Sequence, residues 1–330
     1  MKILVTGGAG FIASHVVDLY LANGHEVVIL DDLSTGRASN LNPAARFIHM
    51  DIRDPRVAEV FERERPAVVN HHAAQMDVRR SIIEPLFDAD VNIVGSLNLL
   101  ENTRNHAVQH FIYISSGGAA YGEPKYLPCD EEHPVDPICQ YGASKHTVEH
   151  YLHMYRVNYG LEYTVLRYPN VYGPRQALSN PYTGVLAIFA SRLLNDNPPI
   201  IYEDGQQQRD FVNIADLVRA CRLAAEAPQA AGQVFNIGSG EAHTVAEIAG
   251  RMARVLDKAH IQPQVVGKYR AGDIRHCFAD ISRARQVLGY VPQVSLQTGM
   301  AELAAWLRVQ VAVDQVAQAN LELEKRGLTV

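Results

Sequence analysis

The chain has 330 residues, a length that allows two packed layers or two lobes with a full hydrophobic core. Hydrophobic residues make up 47% and charged residues 20%, both ordinary globular values, and the formal net charge is −6. This acidic balance argues against a general nucleic-acid or anionic-membrane surface, although it leaves room for a local basic pocket. The four cysteines show no C-x-x-C pair and no zinc spacing, so neither a disulfide framework nor a metal site is expected.

The start of the chain favours a cytoplasmic protein. Met1 leads directly into the strand-like run Lys2–Thr6, without the charged region, apolar stretch and cleavage site of a secretion signal. No apolar run reaches the roughly 18 residues that a membrane span needs. We therefore expect reduced cysteines, with no membrane and no nucleic acid among the partners.

Short apolar runs alternate with helical patterns through the first half of the chain. Strands that are nearly all apolar, separated by helices, predict an α/β fold with a parallel sheet covered on both faces. The periodicity predicts strands at Lys2–Thr6, Val27–Asp31, Arg46–Met50, Ala67–His71, Phe111–Ser115 and Tyr163–Tyr168, and helices at Phe11–Asn23, Val57–Glu64, Asp90–Asn105 and Tyr141–Asn158.

The pattern changes after Gly173. A segment rich in Pro, Asn and Gln follows, with one predicted helix at Gly184–Asn195. Phe211–Ala227 and Val234–Ile237 then return to strand–helix–strand character, and shorter helices follow from Gly240.

This change predicts two domains assembled from separated segments. Residues 1–173 with 211–239 form the sheet domain, and residues 174–210 with 240–330 form a smaller lobe. The lobe is expected over the carboxyl end of the sheet, where ligands bind in such folds. Residues 311–330 are a candidate amphipathic helix to which no role is assigned.

A glycine-rich loop lies between the first strand and the first helix. Gly7 and Gly10 permit a tight turn and let the backbone approach a pyrophosphate, which then sits at the positive end of the helix that Phe11 and Ile12 open. The alternative is a simple turn, but the position after an N-terminal strand and before a helix favours dinucleotide binding.

Acidic residues follow the second and third predicted strands. Asp31, about twenty residues after the glycine loop, is positioned to accept hydrogen bonds from an adenosine ribose, and its charge favours NAD over NADP. The alternative is that Asp31 or Asp32 only caps a loop. Asp51 and Ile52 flank an adenine ring in one interpretation and form a simple Asx turn in the other.

Tyr141 and Lys145 lie four residues apart and therefore on one face of a helix. Lys145 is placed to hold the nicotinamide ribose and, we expect, to lower the pKa of the Tyr141 phenol so that it serves as a general base. Ser115 and Ser116 end a strand twenty-five residues earlier, where a hydroxyl could share the substrate oxygen. Strand-end capping is the alternative for these serines.

Together these motifs resemble the extended short-chain dehydrogenase/reductase family of nucleotide-sugar enzymes, and within it the UDP-glucose (galactose) 4-epimerase group. The resemblance covers about residues 1–290. It is carried by Gly7–His15, Asp31, residues 51–53, 73–75, Asn92, Ser115-Ser116, Tyr121-Gly122, Tyr141–Lys145 and Arg167–Arg175.

The resemblance implies a Rossmann-type doubly wound sheet that binds NAD, a C-terminal sugar-nucleotide lobe and a homodimer. The dimer would pair the helices at Phe87–Asn105 and Tyr141–Asn158. Further cofactor contacts are implied at Ala73, Ala74, Gln75, Asn92, Ser115 and Tyr168. Substrate contacts are implied at Ser116, Gly117, Tyr141, Asn170, Arg209, Arg270, Asp273 and Cys277. The arginines suit a diphosphate and the carboxylate suits a ribose diol, with a surface ion pair as the alternative for each arginine.

Two positions depart from the family pattern. The Ser or Thr of the catalytic triad usually follows the serine pair, where this chain has Gly117; we expect Ser116 to take its role, or Tyr141 to work without a hydroxyl partner. Dehydratases carry Asp and Glu at the next two positions, here Gly118 and Ala119, so elimination of water is disfavoured.

The predicted reaction is epimerisation at C4 of a UDP-hexose through a transient 4-keto sugar, with Tyr141 moving the proton and NAD carrying the hydride. The alternatives are an epimerase of another nucleotide sugar (a UDP-uronic acid, or a dTDP- or GDP-hexose), a net-consuming reductase, or an idle NAD-binding scaffold. In the related epimerases the position of Cys277 lines the sugar pocket and is small or a tyrosine. A thiol there predicts room for a 2-acetamido group, unless Cys277 is only a small core residue.

Overall fold

The computed structural model describes residues 1–176, 184–268 and 274–310. Its strands are β1 Lys2–Thr6, β2 Glu26–Asp31, β3 Arg46–His49, β4 Val68–His71, β5 His110–Ser116, β6 Tyr163–Tyr168, β7 Asn170–Tyr172, β8 Ile200–Ile201, β9 Gln208–Arg209, β10 Phe211–Asn213, β11 Gln233–Asn236, β12 His243–Thr244 and β13 Gln264–Val265. Its helices are α1 Phe11–Ala22, α2 Val57–Glu64, α3 Val78–Ile83, α4 Pro85–Ala89, α5 Gly95–Asn105, α6 Gln140–Tyr159, α7 Val185–Leu194, α8 Ile214–Glu226, α9 Val245–Val255, α10 Ser282–Leu288 and α11 Leu296–Leu307.

Over the described ranges, seven strands form one sheet in the order β3-β2-β1-β4-β5-β6-β11. Every neighbouring pair in this sheet is parallel. The chain runs outward from β1 to β3 on one side and from β4 onward on the other, so the strand order reverses between β1 and β4. At such a switch point the carboxyl ends of the strands open a crevice. The predicted doubly wound parallel sheet is confirmed.

Hydrophobic layers cover both faces of the sheet, as the apolar strands predict. Alternate residues of a strand point to opposite faces, and in β1 Ile3 and Val5 enter one core while Leu4 enters the other. The first core includes residues of α1, α8 and α10, and the second includes residues of α2, α5 and α6.

A third hydrophobic core lies outside the sheet and is built largely from α7, α9 and α11. Tyr172 of β7 and Phe211 of β10 also belong to this core. The two strands pair in parallel, and they lie where the chain leaves the predicted sheet domain and where it returns to it. The α10 residues Ala284 and Leu288, by contrast, pack in the core against the sheet. The domain boundaries of the sequence analysis stay a prediction.

The predicted helix Asp90–Asn105 is part of a longer helical stretch. Asp77 caps α3 by accepting hydrogen bonds from two backbone amides, and Pro85 occupies the first turn of α4, where its missing N–H costs nothing. A π-helical turn at Asp90–Val94 then joins α4 to α5. Short capped helices of this kind carry too few periodic positions to show in the hydrophobic pattern.

None of the helices in the described ranges combines the length and the apolar character that a membrane crossing requires. The candidate helix at 311–330 lies outside the described residues.

Candidate active site

The glycine loop closes over the end of β4. Gly7 has a φ of +69°, and a Cβ there would lie 2.8 Å from the backbone nitrogen of Ala73, so only glycine fits this approach. Gly10 precedes α1 and has no side chain with which to cap the helix amides. Phe11 and Ile12 are half-buried in the first turn of α1.

Asp31 ends β2 directly beside this loop and is 6% exposed. Its carboxylate accepts hydrogen bonds from the amides of Ala9 at 2.9 Å and Leu33 at 2.8 Å, while burial raises its pKa. The loop-cap interpretation therefore describes a real contact, but a carboxylate has further lone pairs for a ribose. Asp32 is exposed and caps Ser34.

Asp51 and Ile52 follow β3. Asp51 accepts a hydrogen bond from the Arg53 amide at 2.8 Å and forms an ion pair with its guanidinium at 2.6 Å, which is the Asx-turn geometry. Ile52 is 4% exposed and packs in the core against Gly95, so its side chain serves packing first. The adenine contact stays a prediction.

Asn92 fixes the segment after β4. Its amide accepts from the backbone nitrogen of Gln75 at 2.8 Å and donates to the Gln75 carbonyl at 3.0 Å and to Ser144 Oγ at 3.1 Å. Ala73 and Ala74 lie half-buried in the same segment, and the Ala73 amide donates to Thr6 Oγ1. Asn92 thus ties this segment to α6 beside Lys145.

Tyr141 and Ser116 come together, although one lies on α6 and the other at the end of β5. The Ser116 hydroxyl lies near the phenolic oxygen and lowers the pKa of Tyr141. Ser116 Oγ also accepts from the Ala119 amide at 3.1 Å, which fixes the hydroxyl. The role of Ser116 as hydroxyl partner stays a prediction, and the nearness of the two side chains supports it.

The net shift in the pKa of Tyr141 is upward in this structure, so the lowering expected from Lys145 stays a prediction. Burial and the nearby Cys139 raise the pKa of Tyr141 to about 12, against the hydrogen bond from Ser116. Burial likewise lowers the pKa of Lys145 to about 7, against the charges of Glu149 and Asp88. Both shifts disfavour the charged form, because the pocket removes water from each group.

A buried ion pair that the sequence analysis missed lies one turn beyond Lys145. Arg167 of β6 donates to Glu149 of α6 through Nη2 at 2.6 Å and Nε at 3.1 Å, and both side chains are 5% exposed. Burial raises the pKa of Glu149, but hydrogen bonds from His146 and Arg167 outweigh it and hold the pKa at about 2. The Ser115 hydroxyl is buried and has no hydrogen-bond partner within the described residues.

Two candidate residues meet at the end of β6. The Gly117 amide donates to the Tyr168 carbonyl at 2.7 Å, and a Cβ at Gly117 would lie 3.2 Å from that oxygen, so the backbone leaves little room for a side chain. The Tyr168 phenol points into the core, where its hydroxyl lies 2.8 Å from Cys221 Sγ. Tyr168 therefore presents no free hydroxyl to a cofactor.

Cys277 lies against the segment that replaces the usual triad residue. Its thiol donates to the Gly117 carbonyl at 3.4 Å, and a Cβ at Gly118 would lie 3.3 Å from Sγ. Cys277 is 7% exposed, so it is both a well-packed residue and part of the wall beside Gly117 and Gly118.

Asn170 and Arg209 are held together by β7, β9 and β10. The backbone N–H of Asn170 donates to the Asp210 carbonyl at 3.2 Å, and the backbone N–H of Asp210 donates to the Cys277 carbonyl at 3.2 Å. The Arg209 guanidinium donates to the Arg275 carbonyl at 2.6 Å. Arg270 and Asp273 lie outside the described residues.

The described residues fit a dinucleotide. The loop that only glycine fits, the helix end without a side-chain cap and the carboxylate of Asp31 lie together at the switch point of the sheet, where pyrophosphate and ribose bind in such folds. Tyr141 and Lys145 lie along the same crevice, beyond the end of β5.

Residues 3–238 match the model of the NAD dependent epimerase/dehydratase family. A UDP-glucose 4-epimerase from Mycolicibacterium smegmatis is 41% identical over 93% of this chain and 99% of the relative. The crystal structure of the Thermotoga maritima UDP-glucose 4-epimerase with UDP-glucose is 42% identical, with a TM-score of 0.89 over 93% of this chain and 99% of that chain. The Thermus thermophilus UDP-glucose 4-epimerase in complex with NAD is 39% identical, with a TM-score of 0.87 over 94% and 100%.

The position of Asp31 predicts a strong preference for NAD over NADP, because its carboxylate repels a 2′-phosphate. Isothermal titration of the cofactor-free protein with each dinucleotide measures this. Asp31→Asn should reduce the difference, while Asp32→Asn, at the exposed neighbour, should leave it unchanged. Equal affinity of the wild type for both dinucleotides would mean that Asp31 serves only the loop.

Proposed function

Because this chain belongs to the NAD-dependent epimerase/dehydratase family, we propose that it epimerises UDP-hexoses at C4 and interconverts UDP-glucose and UDP-galactose. NAD is the cofactor. One observation carries the proposal: Tyr141 and Lys145 lie one turn apart on α6, with Ser116 at the end of β5 beside the phenol, at the end of a dinucleotide site.

Side chains of this protein carry out the proton transfers. NAD, when bound, supplies oxidation and reduction at C4. Tyr141 removes the proton of the sugar 4-hydroxyl and returns it when the 4-keto sugar has turned over, and the Ser116 hydroxyl stabilises the phenolate by donating to it. Lys145 holds the nicotinamide ribose, and its ammonium form offsets the negative charge on the phenol.

The nucleotide anchors the substrate while the sugar turns. Asn170 and Arg209 are the proposed diphosphate contacts among the described residues, and Arg270 and Asp273 complete the proposed set. Because Arg209 already donates to backbone carbonyls, its orientation is fixed before substrate binds. Such preorganised donors suit a diphosphate that stays in place through both half-reactions.

The residues after Ser116 favour epimerisation over elimination. A dehydratase needs an acid and a base to remove water, whereas Gly118 and Ala119 have no ionisable group. The remaining alternatives are an epimerase of another nucleotide sugar and an idle scaffold.

A panel of UDP-, dTDP- and GDP-sugars, incubated without added NADH and followed by NMR, tests the proposed function. We expect UDP-glucose and UDP-galactose to interconvert. Turnover only of a uronic acid or of a dTDP- or GDP-hexose would move the activity to that sugar, and no turnover at all would favour the scaffold.

Tyr141→Phe should reduce kcat by at least about 100-fold, since general base catalysis contributes roughly that much or more. The ring still packs, so NAD should remain bound, which cofactor content of the purified variant measures. Activity near that of the wild type would remove Tyr141 from the mechanism.

Ser116→Ala should lower kcat as well, because the phenolate loses the donor that stabilises it. The rate is measured beside that of Ser34→Ala, at an exposed loop hydroxyl away from Tyr141. An unchanged rate for Ser116→Ala would show that Tyr141 works without a hydroxyl partner.

The thiol at Cys277 predicts that the enzyme also accepts UDP-N-acetylglucosamine. Cys277→Tyr should suppress the acetamido substrate selectively, because the phenol fills the space beside Gly118, while Cys277→Ala should keep both activities. Both substrates are assayed on all three proteins. Equal loss of both activities in Cys277→Tyr, or a wild type that ignores the acetamido sugar, would remove Cys277 as the determinant of substrate size.

We further propose a cytoplasmic homodimer that pairs the helices at Phe87–Asn105 and Tyr141–Asn158. Apolar side chains are exposed along this side of the molecule: Leu86 is 86% exposed on α4 and Val157 is 69% exposed on α6, with Val94 and Met154 between them in the chain. Exposed apolar side chains on the helices that the proposal pairs support an association site on this side of the molecule.

The double variant Leu86→Lys/Val157→Lys should therefore be monomeric by size-exclusion chromatography with light scattering. Val265→Lys, at an exposed position on β13, is the matched control and should not change the mass. A monomeric wild type would contradict the proposed dimer.

A further inference from the structure

Arg167 joins the two pieces of chain that carry the reacting groups. Through Nη2 and Nε it binds both oxygens of Glu149, on the helix of Tyr141 and Lys145. Through Nη1 it donates to the Tyr121 hydroxyl at 2.9 Å, in the segment that follows Ser116. One guanidinium therefore holds α6 and the end of β5 at the same time.

Further hydrogen bonds make this connection rigid. The Tyr121 hydroxyl donates to Asn236 Oδ1 of β11 at 2.7 Å, and the Asn236 amide donates to the Cys129 carbonyl at 3.1 Å. Arg167 also stacks on the Tyr121 ring, with Cζ 4.9 Å from its centroid. In the strand register Arg167 pairs with Ser115, one residue before Ser116. The network thus contacts both elements that carry the reacting groups: α6, with Tyr141, and the segment at the end of β5, with Ser116.

Stability alone does not account for this ion pair. Removing two charges from water costs about as much as their attraction returns, and apolar pairs of similar volume often stabilise a core equally well. A planar guanidinium that binds a carboxylate with two hydrogen bonds does, however, fix direction as well as distance. An apolar contact would hold α6 on the sheet as well, but this pair also fixes the position of the helix along the sheet.

We propose that Glu149 and Arg167 are positioning residues for epimerisation: the pair fixes α6 against the end of β5 and thereby sets the Tyr141 phenol on the Ser116 hydroxyl. This inference rests on the proposed function for its kinetic readout. It has a structural readout that is independent of the sugar.

The charge of Glu149 has a second effect on the site. On its own helix Lys145 faces Glu149, and on α4 it faces Asp88. Its ammonium also lies 4.3 Å from the Tyr113 ring of β5 and near His71 and His72, where β4 ends. Burial lowers the pKa of Lys145, and Glu149 is the first of the two carboxylates that raise it. Glu149 therefore favours the ammonium form at neutral pH as well as holding the helix.

The test compares single variants with an apolar replacement of the whole pair. Glu149→Gln leaves Arg167 buried without a counter-charge and should lower both Tm and kcat. Glu149→Leu/Arg167→Met removes both charges, so Tm should recover substantially. We expect kcat of this double variant to stay about 10- to 100-fold below that of the wild type with KM little changed, because displacements of about 1 Å have such effects.

A matched control separates positioning from general stability. Glu64 is also a buried carboxylate, 3% exposed, with Lys2, Arg46 and Arg63 as partners, but it lies at the opposite end of the sheet. Glu64→Gln should lower Tm while leaving kcat as in the wild type. Recovery of kcat together with Tm in the double variant, or equal loss of kcat in Glu64→Gln, would overturn the proposal.

Crystal structures of the wild type and the double variant give the readout that does not depend on substrate. The distance between the Tyr141 phenol and the Ser116 hydroxyl should be longer in the double variant. An unchanged contact would contradict the positioning role even if the wild type turned over a different sugar. If instead the contact changes but the wild type converts no nucleotide sugar, the positioning claim stands and the proposed function fails.

Discussion

The site depends on how closely α6 approaches the segment that follows β5. A Cβ at Gly142 would lie 2.1 Å from the Ala119 carbonyl oxygen, so any side chain at this position would push the helix off the sheet. This contact lies between Tyr141 and Lys145 in the chain. Because the helix approaches so closely, the Tyr141 phenol lies near the Ser116 hydroxyl, although Gly117 offers no side chain. The missing triad residue and the close packing of α6 are therefore two aspects of one arrangement.

The packing that forms the site also removes water from its ionisable groups and raises the free energy of their charged forms. Burial raises the pKa of Tyr141 and lowers that of Lys145, so it disfavours the charged form of each group. The neighbours work in the other direction: Ser116 favours the phenolate, and Glu149 and Asp88 favour the ammonium. The protonation of the base and of its cationic partner is thus controlled by neighbouring side chains, which is why the support behind α6 matters for the chemistry.

Local signals in the sequence were sufficient for the sheet and, to within one residue, for the bounds of its strands. β1, β6 and α2 have the predicted bounds, and the glycine loop lies beside Asp31 as its spacing indicates. The sequence could not predict the pKa shifts, because burial is a property of the packed molecule. Nor could it predict the contact between Glu149 and Arg167, which are 18 residues apart and have no motif of their own. They meet because α6 packs against β5 and β6.

The measurement that tests the account most directly follows the hydrogen at C4. UDP-galactose deuterated at C4 is incubated with the purified protein, without added NADH, and the product is examined by NMR. The account predicts UDP-glucose that keeps the deuterium at C4, because oxidation and reduction occur on one bound substrate while Tyr141 exchanges only the hydroxyl proton. Loss of the deuterium to solvent, or no conversion at all, would contradict it.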